Sequence, residues 1–181
     1  MKSRIMPAVL LAASVLFMTA CSSTRTQQAP GEVIDDSLLT AKVKAALIDD
    51  PVTKAGQINV ETYRGVVQLG GFVDTAESKS RATQVATAVT GVKEVRNDLR
   101  VSSPQSTGQA VDDGAVTTAV KARLIEDSTT KAHHINVETQ KGVVQLTGFV
   151  DSSAEKARAA ELASTVDGVV SVKNDLEIRQ N

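Results

Sequence analysis

The sequence is poor in cysteine, histidine and aromatic residues. It has one cysteine, two histidines, no tryptophan, one tyrosine and three phenylalanines among 181 residues. A single cysteine cannot form an internal disulfide bond, and a core with so few aromatic side chains argues against a deep ligand pocket. The formal net charge of −1 also disfavours nucleic-acid binding, which requires a basic surface.

What the sequence does contain is a long internal repeat. Residues 35–101 match residues 112–178 without a gap, and 37 of the 67 aligned residues are identical. The identical positions are apolar residues, glycines and a few polar residues, and no Ser-His-Asp or Cys-His set occurs in both copies. The repeat therefore indicates a shared fold and not a reaction centre, so we expect neither an enzyme nor a cofactor.

The N-terminus is typical of an export signal. Lys2 and Arg4 precede an apolar run, residues 5–18, that is too short to span a bilayer comfortably. The run leads into Thr19-Ala20-Cys21, and a cysteine after a small residue resembles the lipobox of bacterial lipoproteins. We expect lipidation at Cys21, which would leave a mature chain of formal charge −3 once the two leader cations are lost. Ordinary cleavage near Ala20, giving a protein free in the periplasm, is the alternative.

The remaining composition predicts the domain boundaries. Residues 22–32 are rich in Ser, Thr, Gln, Pro and Gly, as in a flexible tether, and a similar stretch separates the two copies. Ser22, directly after the cysteine, resembles the signal that sorts lipoproteins to the outer membrane. The predicted segments are a signal peptide (1–20), a lipidated tether (21–32), a first copy (33–101), a linker (102–110) and a second copy (111–181).

Hydrophobic periodicity predicts the order α-β-β-α-β in each copy. A helical stripe is followed by two alternating strands joined at Tyr63-Arg64-Gly65, then by a second helical stripe and a third strand. The third strand should run parallel to the second, because a helix connects them. The expected fold is α+β, with a three-stranded mixed sheet covered on one face by two helices. The stripes and strands rest on Leu39, Val43, Ala46, Leu47, Val67, Leu69, Ala82, Val85, Ala86, Val89, Val95, Leu99 and their counterparts.

Capping signals bound the second helix of each copy. Residues 74–77 and 152–155 both have the pattern of a capping box, in which a side chain at the start of a helix bonds a backbone N–H three residues on. Gly91 and Gly168 are predicted to end these helices.

Two strand patterns carry a resemblance to a known family. Gly-x-Val-x-Leu-x-Gly occurs at Gly65–Gly71 and Gly142–Gly148, and Val-x-Asn-x-Leu at Val95–Leu99 and Val172–Leu176. With the element order, these motifs resemble the BON domain, and the resemblance covers the chain apart from leader, tether and linker. It implies an envelope protein without enzymatic activity that supports membrane integrity under osmotic or envelope stress and associates with phospholipid.

Few residues are candidates for chemistry. His133 and His134 are adjacent beside a strand, where neighbouring side chains point to opposite faces, so we expect no shared metal ion. Asp49-Asp50 and Glu126-Asp127 follow the first helix of each copy and are interpreted as solvated loop charges. Glu61 and Glu138 are interpreted as surface residues of the hairpin.

Binding to surfaces remains. Lys121, Arg123 and Lys131 of the second copy are candidate contacts for anionic phospholipid headgroups, although the first copy has comparable lysines. Phe72 and Phe149 alternate away from the core positions and are predicted on the sheet face that the helices leave open, a place for the other copy or another protein to dock. Two hypotheses follow: a module that associates with phospholipid membrane surfaces, and a periplasmic protein-binding or chaperone-like module.

Overall fold

A computed structural model describes residues 35–53, 58–101, 112–130 and 132–179. It confirms the order α-β-β-α-β in both copies. The first copy comprises α1 (Asp36–Asp49), β1 (Ile58–Tyr63), β2 (Val66–Val73), α2 (Ala76–Thr87), β3 (Glu94–Asn97) and β4 (Arg100–Val101). The second comprises α3 (Asp113–Glu126), β5 (Ile135–Gln140), β6 (Val143–Val150), α4 (Ser153–Ser164) and β7 (Ser171–Ile178), with a 3-10 turn at Ala132–His134 before β5.

Both sheets are mixed, with the hairpin strands antiparallel and the third strand parallel to the second, as predicted. The hairpin turns have positive φ at both central residues, 53° at Arg64 and 81° at Gly65, which is the two-residue turn that suits strand twist. The second copy repeats this at Lys141 and Gly142. β7 is continuous, whereas the equivalent strand of the first copy is interrupted between β3 and β4.

One face of each sheet packs against its two helices. The result is two separate cores in which aliphatic side chains do nearly all the packing, so each copy has its own hydrophobic stabilisation. The first core contains Leu39, Val43, Leu47, Ile58, Val60, Val67, Leu69, Val73, Ala82, Ala86 and Leu99. The second contains Val116, Val120, Leu124, Ile135, Val137, Val144, Leu146, Val150, Ala159, Ala163, Val166 and Leu176.

The helix termini differ in part from expectation. The capping box of the second copy is confirmed, since the Ser152 hydroxyl accepts from the Glu155 N–H and the Glu155 carboxylate accepts from the Asp151 N–H. In the first copy the box at residues 74–77 is wrong by one residue, because Thr75 is the cap and accepts from the Ser78 N–H at 3.0 Å. The glycines also lie beyond the helices: α2 ends at Thr87 and α4 at Ser164.

The acidic pairs after α1 and α3 are not merely solvated. Asp50 is buried: its Oδ1 accepts from the Val52 and Thr53 N–H groups, and its Oδ2 forms an ion pair with Arg81 at 2.8 Å. The hydrogen bond from Arg81 holds the pKa of the Asp50 carboxyl below its ordinary value. The second copy repeats the arrangement with Asp127 and Arg158. In each copy, this carboxylate therefore connects the loop after the first helix to the second helix through hydrogen bonds and an ion pair.

Among the helices within the described ranges, none combines the length and the apolar character needed to cross a membrane.

Candidate functional site

The sheet faces turned away from the helices lie against each other, and two glutamines form the centre of this inter-copy interface. Gln68 on β2 and Gln145 on β6 are each 1% exposed. The Gln68 carbonyl accepts from the Gly148 N–H at 2.8 Å, and the Gln145 carbonyl accepts from the Gly71 N–H at 2.7 Å. Each glutamine thus bonds the backbone of the other copy's central strand, in a nearly two-fold symmetric exchange.

The amide nitrogens complete the network on the third strands. The Gln68 Nε2 donates to the Asp98 carboxylate at 2.7 Å and to the Asp175 carbonyl at 2.6 Å. The Gln145 Nε2 donates to the Asp98 carbonyl at 2.7 Å and to the Asp175 carboxylate at 2.8 Å. Both buried side-chain amides are therefore fully bonded, as buried polar groups in a specific interface must be.

Hydrogen bonds between asparagine and glutamate side chains connect β1 of the first copy with β5 of the second across the interface. The Asn59 amide donates to Glu138 at 3.0 Å, and the Asn136 amide donates to Glu61 at 2.9 Å. Glu61 and Glu138 are half-buried, so their interpretation as surface residues is wrong. Asn-x-Glu occurs in both copies, but so do exposed residues such as Lys44 and Lys121, so repetition alone does not distinguish an interface residue from a solvated one.

Ion pairs join the third strands and are not symmetric. Arg96 pairs with Glu177 at 2.6 Å, and Arg100 pairs with Asp175 at 2.9 Å. In the repeat, Lys173 is the counterpart of Arg96 and Glu177 the counterpart of Arg100. The two copies therefore present different charge patterns to each other, which favours the pairing of a first with a second copy.

Gly70 and Thr147, which are counterparts in the repeat, meet at the centre of the interface. A Cβ atom built on Gly70 would lie 2.5 Å from the Thr147 side chain, well inside van der Waals contact. Glycine at this position therefore permits the close approach of β2 to β6. Two threonines would collide here, so this position disfavours the pairing of two second copies.

An aromatic pair lies at one end of the interface and lines a cleft. Tyr63 of the first copy and Phe149 of the second have ring centroids 5.6 Å apart. The Arg179 guanidinium lies 5.6 Å from the centre of the Tyr63 ring, and that of Arg64 lies 5.4 Å from it. The cleft has a volume of about 370 Å³ and is lined by Asp36, Ser37, Thr40, Glu61, Thr62, Tyr63, His134, Phe149 and Arg179.

His134 also lines this cleft. Partial burial, reinforced by the positive charge of Arg179, lowers the pKa of His134 below its ordinary value of 6.5. The His133 ring lies 3.9 Å from the His134 ring, because the 3-10 turn brings adjacent side chains together; the prediction that they point to opposite faces is wrong. Within the described ranges, no three His, Cys, Asp or Glu residues form a group that could hold a metal ion.

The predicted contact residues fall into three groups. Phe72 and Phe149 are each 8% exposed, and the sheet face that the helices leave open is covered by the other copy, one of the two occupants expected there. Lys121 and Arg123 are exposed on α3, apart from the core stripe of that helix. Lys131 and the lipidation candidate Cys21 lie outside the described residues. Phe149 is the one member of the set that lines the aromatic cleft.

Two α-β-β-α-β units joined face to face through a polar interface define a class of duplicated α+β modules in which each sheet covers the open face of the other. The chain belongs to the BON family: the BON domain model matches residues 35–103 and 112–180.

Three relatives are similar over most of the chain. Osmotically-inducible protein Y of Escherichia coli is 44% identical over 82% of this chain and 75% of its own length. Outer membrane lipoprotein DolP of Haemophilus influenzae is 40% identical over 78% of this chain and 74% of its own. A 21 kDa hemolysin of Actinobacillus pleuropneumoniae is 36% identical over 77% and 72%. The relatives are thus an osmotically inducible protein, an outer membrane lipoprotein and a hemolysin.

Proposed function

We propose that this chain is a non-enzymatic lipoprotein of the outer membrane that faces the periplasm, associates with phospholipid surfaces and supports envelope integrity under osmotic or envelope stress. The observation that carries the proposal is the export-type leader ending at Ala20-Cys21 in front of a BON pair. The similarity to an outer membrane lipoprotein and to an osmotically inducible protein supports it. A triacylated cysteine would bury many methylenes at about 0.8 kcal/mol each, enough for stable anchoring.

The sheet faces that cover each other are not accessible to a membrane, so a membrane contact has to be made by other surfaces of the pair. Because the sheets face each other, the helices lie on the outer faces of the pair, and the cations of α3 are exposed there. Lys121 and Arg123 can therefore approach anionic headgroups while the domain pair remains closed. Each basic residue near an anionic surface contributes about 1 kcal/mol, and salt screens the attraction.

Mass spectrometry of the protein from isolated outer membranes tests the anchor. We expect an N-terminal peptide that starts at Cys21 and carries acyl chains, and we expect Cys21→Ala to abolish both acylation and membrane retention. An unmodified N-terminus in the periplasmic fraction would overturn the anchoring proposal.

Amide NMR of the lipoprotein in non-ionic detergent micelles tests the surface contact. Adding a short-chain anionic phosphatidylglycerol to the micelles should shift the α3 amide signals at low salt and shift them much less at high salt. The double variant Lys121→Glu/Arg123→Glu should lose these shifts. Lys42→Glu/Lys44→Glu, which changes two exposed cations of α1 and the net charge equally, is the matched control and should retain them. Equal loss in both variants would refute a contact through α3.

The chaperone-like alternative depended on an apolar sheet face that another protein could reach. In the closed pair Phe72 and Phe149 are buried, so this face offers no binding surface without separation of the copies. The similarity to an osmotically inducible protein leaves the alternative open to test. Suppression of a client's aggregation without lipid, which increases when the interface is weakened, would favour it over lipid association.

A further inference from the structure

The two equivalent ends of the inter-copy interface carry different residues. The near two-fold relation of the copies predicts a second cleft around Gln140, Glu138 and Phe72. There Gln140 stands in place of Tyr63, and Ser102 is the counterpart of Arg179 in the repeat. The copies are identical at the glutamines and at the Asn-x-Glu pairs that build the interface, yet they differ at the residues that give the cleft its rings and its cation. This end of the interface is therefore specialised.

Two carboxylates in the cleft have only neutral hydrogen-bond donors among the described residues. Asp36 accepts from the backbone N–H groups of Arg64 and Gly65, at 2.6 and 2.9 Å. Glu61 accepts from the Asn136 amide at 2.9 Å and lies close enough to His134 to act on its charge. Neither carboxylate is part of an ion pair within the described ranges, so both have lone pairs available to a cation.

The Tyr63 ring beside these carboxylates already interacts with cations. Two guanidinium groups lie within 6 Å of the Tyr63 ring, the range in which a cation interacts favourably with an aromatic face. Carboxylates combined with aromatic faces are the arrangement that proteins use to bind organic ammonium groups.

Arg179 provides the opposite charge at the same cleft. One of its terminal nitrogens, Nη1, pairs with Asp151 at 2.9 Å, while its Nε is buried without an acceptor in the described part of the chain. A buried donor without a partner is uncommon in a folded protein and is readily explained by an acceptor that binds there. An acidic group of a ligand, reached by a small movement of the guanidinium, would satisfy it.

We infer that the cleft between Tyr63, Glu61, Phe149 and Arg179 binds a small zwitterion that carries an ammonium group and a phosphate or similar acidic group. The ammonium group lies against the Tyr63 and Phe149 rings and is neutralised by Glu61 and Asp36. The acidic group meets the Arg179 guanidinium. A volume of about 370 Å³ falls within the range of pockets that hold small molecules. The inference goes beyond the proposed function, since it does not involve α3 or the anchor.

Calorimetric titration of the lipoprotein in non-ionic micelles with O-phosphoethanolamine tests the chemistry. We expect binding of this zwitterion that is stronger than that of ethanolamine or inorganic phosphate alone, because each of those lacks one of the two charges. Glu61→Gln keeps an acceptor for Asn136 but removes the charge, and Tyr63→Gln installs the residue of the other copy. Both should weaken binding about tenfold or more, the loss of a desolvated charge or cation–π contact.

Glu138→Gln is the matched control, because Glu138 accepts from Asn59 as Glu61 does from Asn136 but lies at the end where Gln140 stands in place of Tyr63. It should bind O-phosphoethanolamine like the unchanged protein. Absence of binding at millimolar concentration, or equal weakening by Glu61→Gln and Glu138→Gln, would overturn the inference.

The same chemistry could come from a lipid headgroup or from a free solute. The cleft amide signals, followed by NMR in micelles doped with short-chain phosphatidylethanolamine, distinguish the two sources. Shifts that Glu61→Gln abolishes would identify the headgroup, whereas binding of the soluble zwitterion without such shifts would identify a free solute. If neither the titration nor the NMR experiment detects binding, the inferred ligand site is refuted. The proposed contact through α3 and the lipid anchor are tested separately and do not depend on this result.

Discussion

The two faces of strand β2 make contacts of different kinds, apolar on one face and polar on the other. On one face Val67, Leu69 and Val73 pack into an aliphatic core that belongs to the first copy alone. On the other, Gln68 and Gly70 meet the second copy through hydrogen bonds and close backbone approach. The core stabilises a copy without specifying a partner. The polar face packs stably only against a surface that forms hydrogen bonds with its donors and acceptors. It therefore specifies how the two copies align.

Truncation of a core leucine should produce the largest effect. Leu69→Ala and Leu146→Ala each remove a fully buried side chain and leave a cavity, so each should lower the free energy of unfolding by about 2–5 kcal/mol. Urea denaturation followed by circular dichroism measures this. Because the cores are separate, each variant should destabilise its own copy first; a loss below about 1 kcal/mol would contradict the packing described here.

Gln68→Ala should cause the next largest loss in the free energy of unfolding, and it should also change the number of unfolding transitions. It leaves the Gly148 N–H and the Asp98 carboxylate without their buried partner, at a cost of about 1–3 kcal/mol for each unsatisfied group. Since the lost bonds join the copies, unfolding should separate into two transitions instead of becoming uniformly easier.

Gln84→Ala is the control for this variant, because Gln84 is an exposed glutamine on α2. Its effect should stay within about 0.5 kcal/mol. A single unchanged transition in Gln68→Ala would show that the copies do not depend on the glutamine bonds.

The contrast between core and interface also explains what the sequence predicts and what it does not. The helical stripes, the hairpin at Arg64-Gly65 and the parallel third strand follow from periodicity and turn chemistry, because these patterns report burial within one copy. Gln68 and Glu61 follow the same alternation and fall on the face away from the core, where a polar residue is indistinguishable from a solvated one. Only contact with the other copy reveals their role.

The candidate site was predicted less completely than the fold. Phe149 was identified from its place on the sheet face, but the cleft also needs Tyr63 and Glu61 from β1 and Arg179 from the end of β7. Tyr63 is the one tyrosine of the chain and has no aromatic counterpart in the second copy. A difference between otherwise similar copies was thus the signal in the sequence, whereas a search for shared residues selects against it.

Exchanging Gly70 and Thr147 tests whether these two residues are in contact at the centre of the inter-copy interface. Gly70→Thr would place two threonines in contact, and overpacking of this kind costs about 1–3 kcal/mol. Gly70→Thr/Thr147→Gly restores one threonine and one glycine on opposite strands, so the double variant should recover most of the lost stability. Thermal unfolding of the three variants measures the coupling; additive losses would show that the two residues do not meet.

Acid should weaken the ion pairs within each copy. The folded-state pKa of Asp50 is held below its ordinary 3.8 by the Arg81 hydrogen bond, and that of Asp127 is lowered by the Thr129 N–H and by Arg158. Each carboxylate therefore contributes stability that is present above about pH 4 and is lost as the pH falls through the folded-state pKa. The melting temperature should fall below pH 4, and fall less steeply in Asp50→Asn.

Asp49→Asn controls for the loss of one negative charge, since Asp49 is the exposed neighbour of Asp50. If Asp50→Asn and the unchanged protein lose stability in parallel as the pH falls, the Asp50 ion pair does not contribute to the acid response.

The smallest effect should come from the ion pairs at the rim of the interface. Arg96 pairs with Glu94 in its own copy and with Glu177 in the other, at 3.1 and 2.6 Å, and the two glutamate side chains are 55% and 32% exposed. Half-exposed pairs contribute at most about 1 kcal/mol and are screened by salt. Glu177→Gln should therefore destabilise the protein slightly more than Glu94→Gln at low ionic strength, with the difference vanishing at high salt. A Glu177→Gln effect as large as that of Gln68→Ala would mean that charge, and not the buried amide network, holds the copies together.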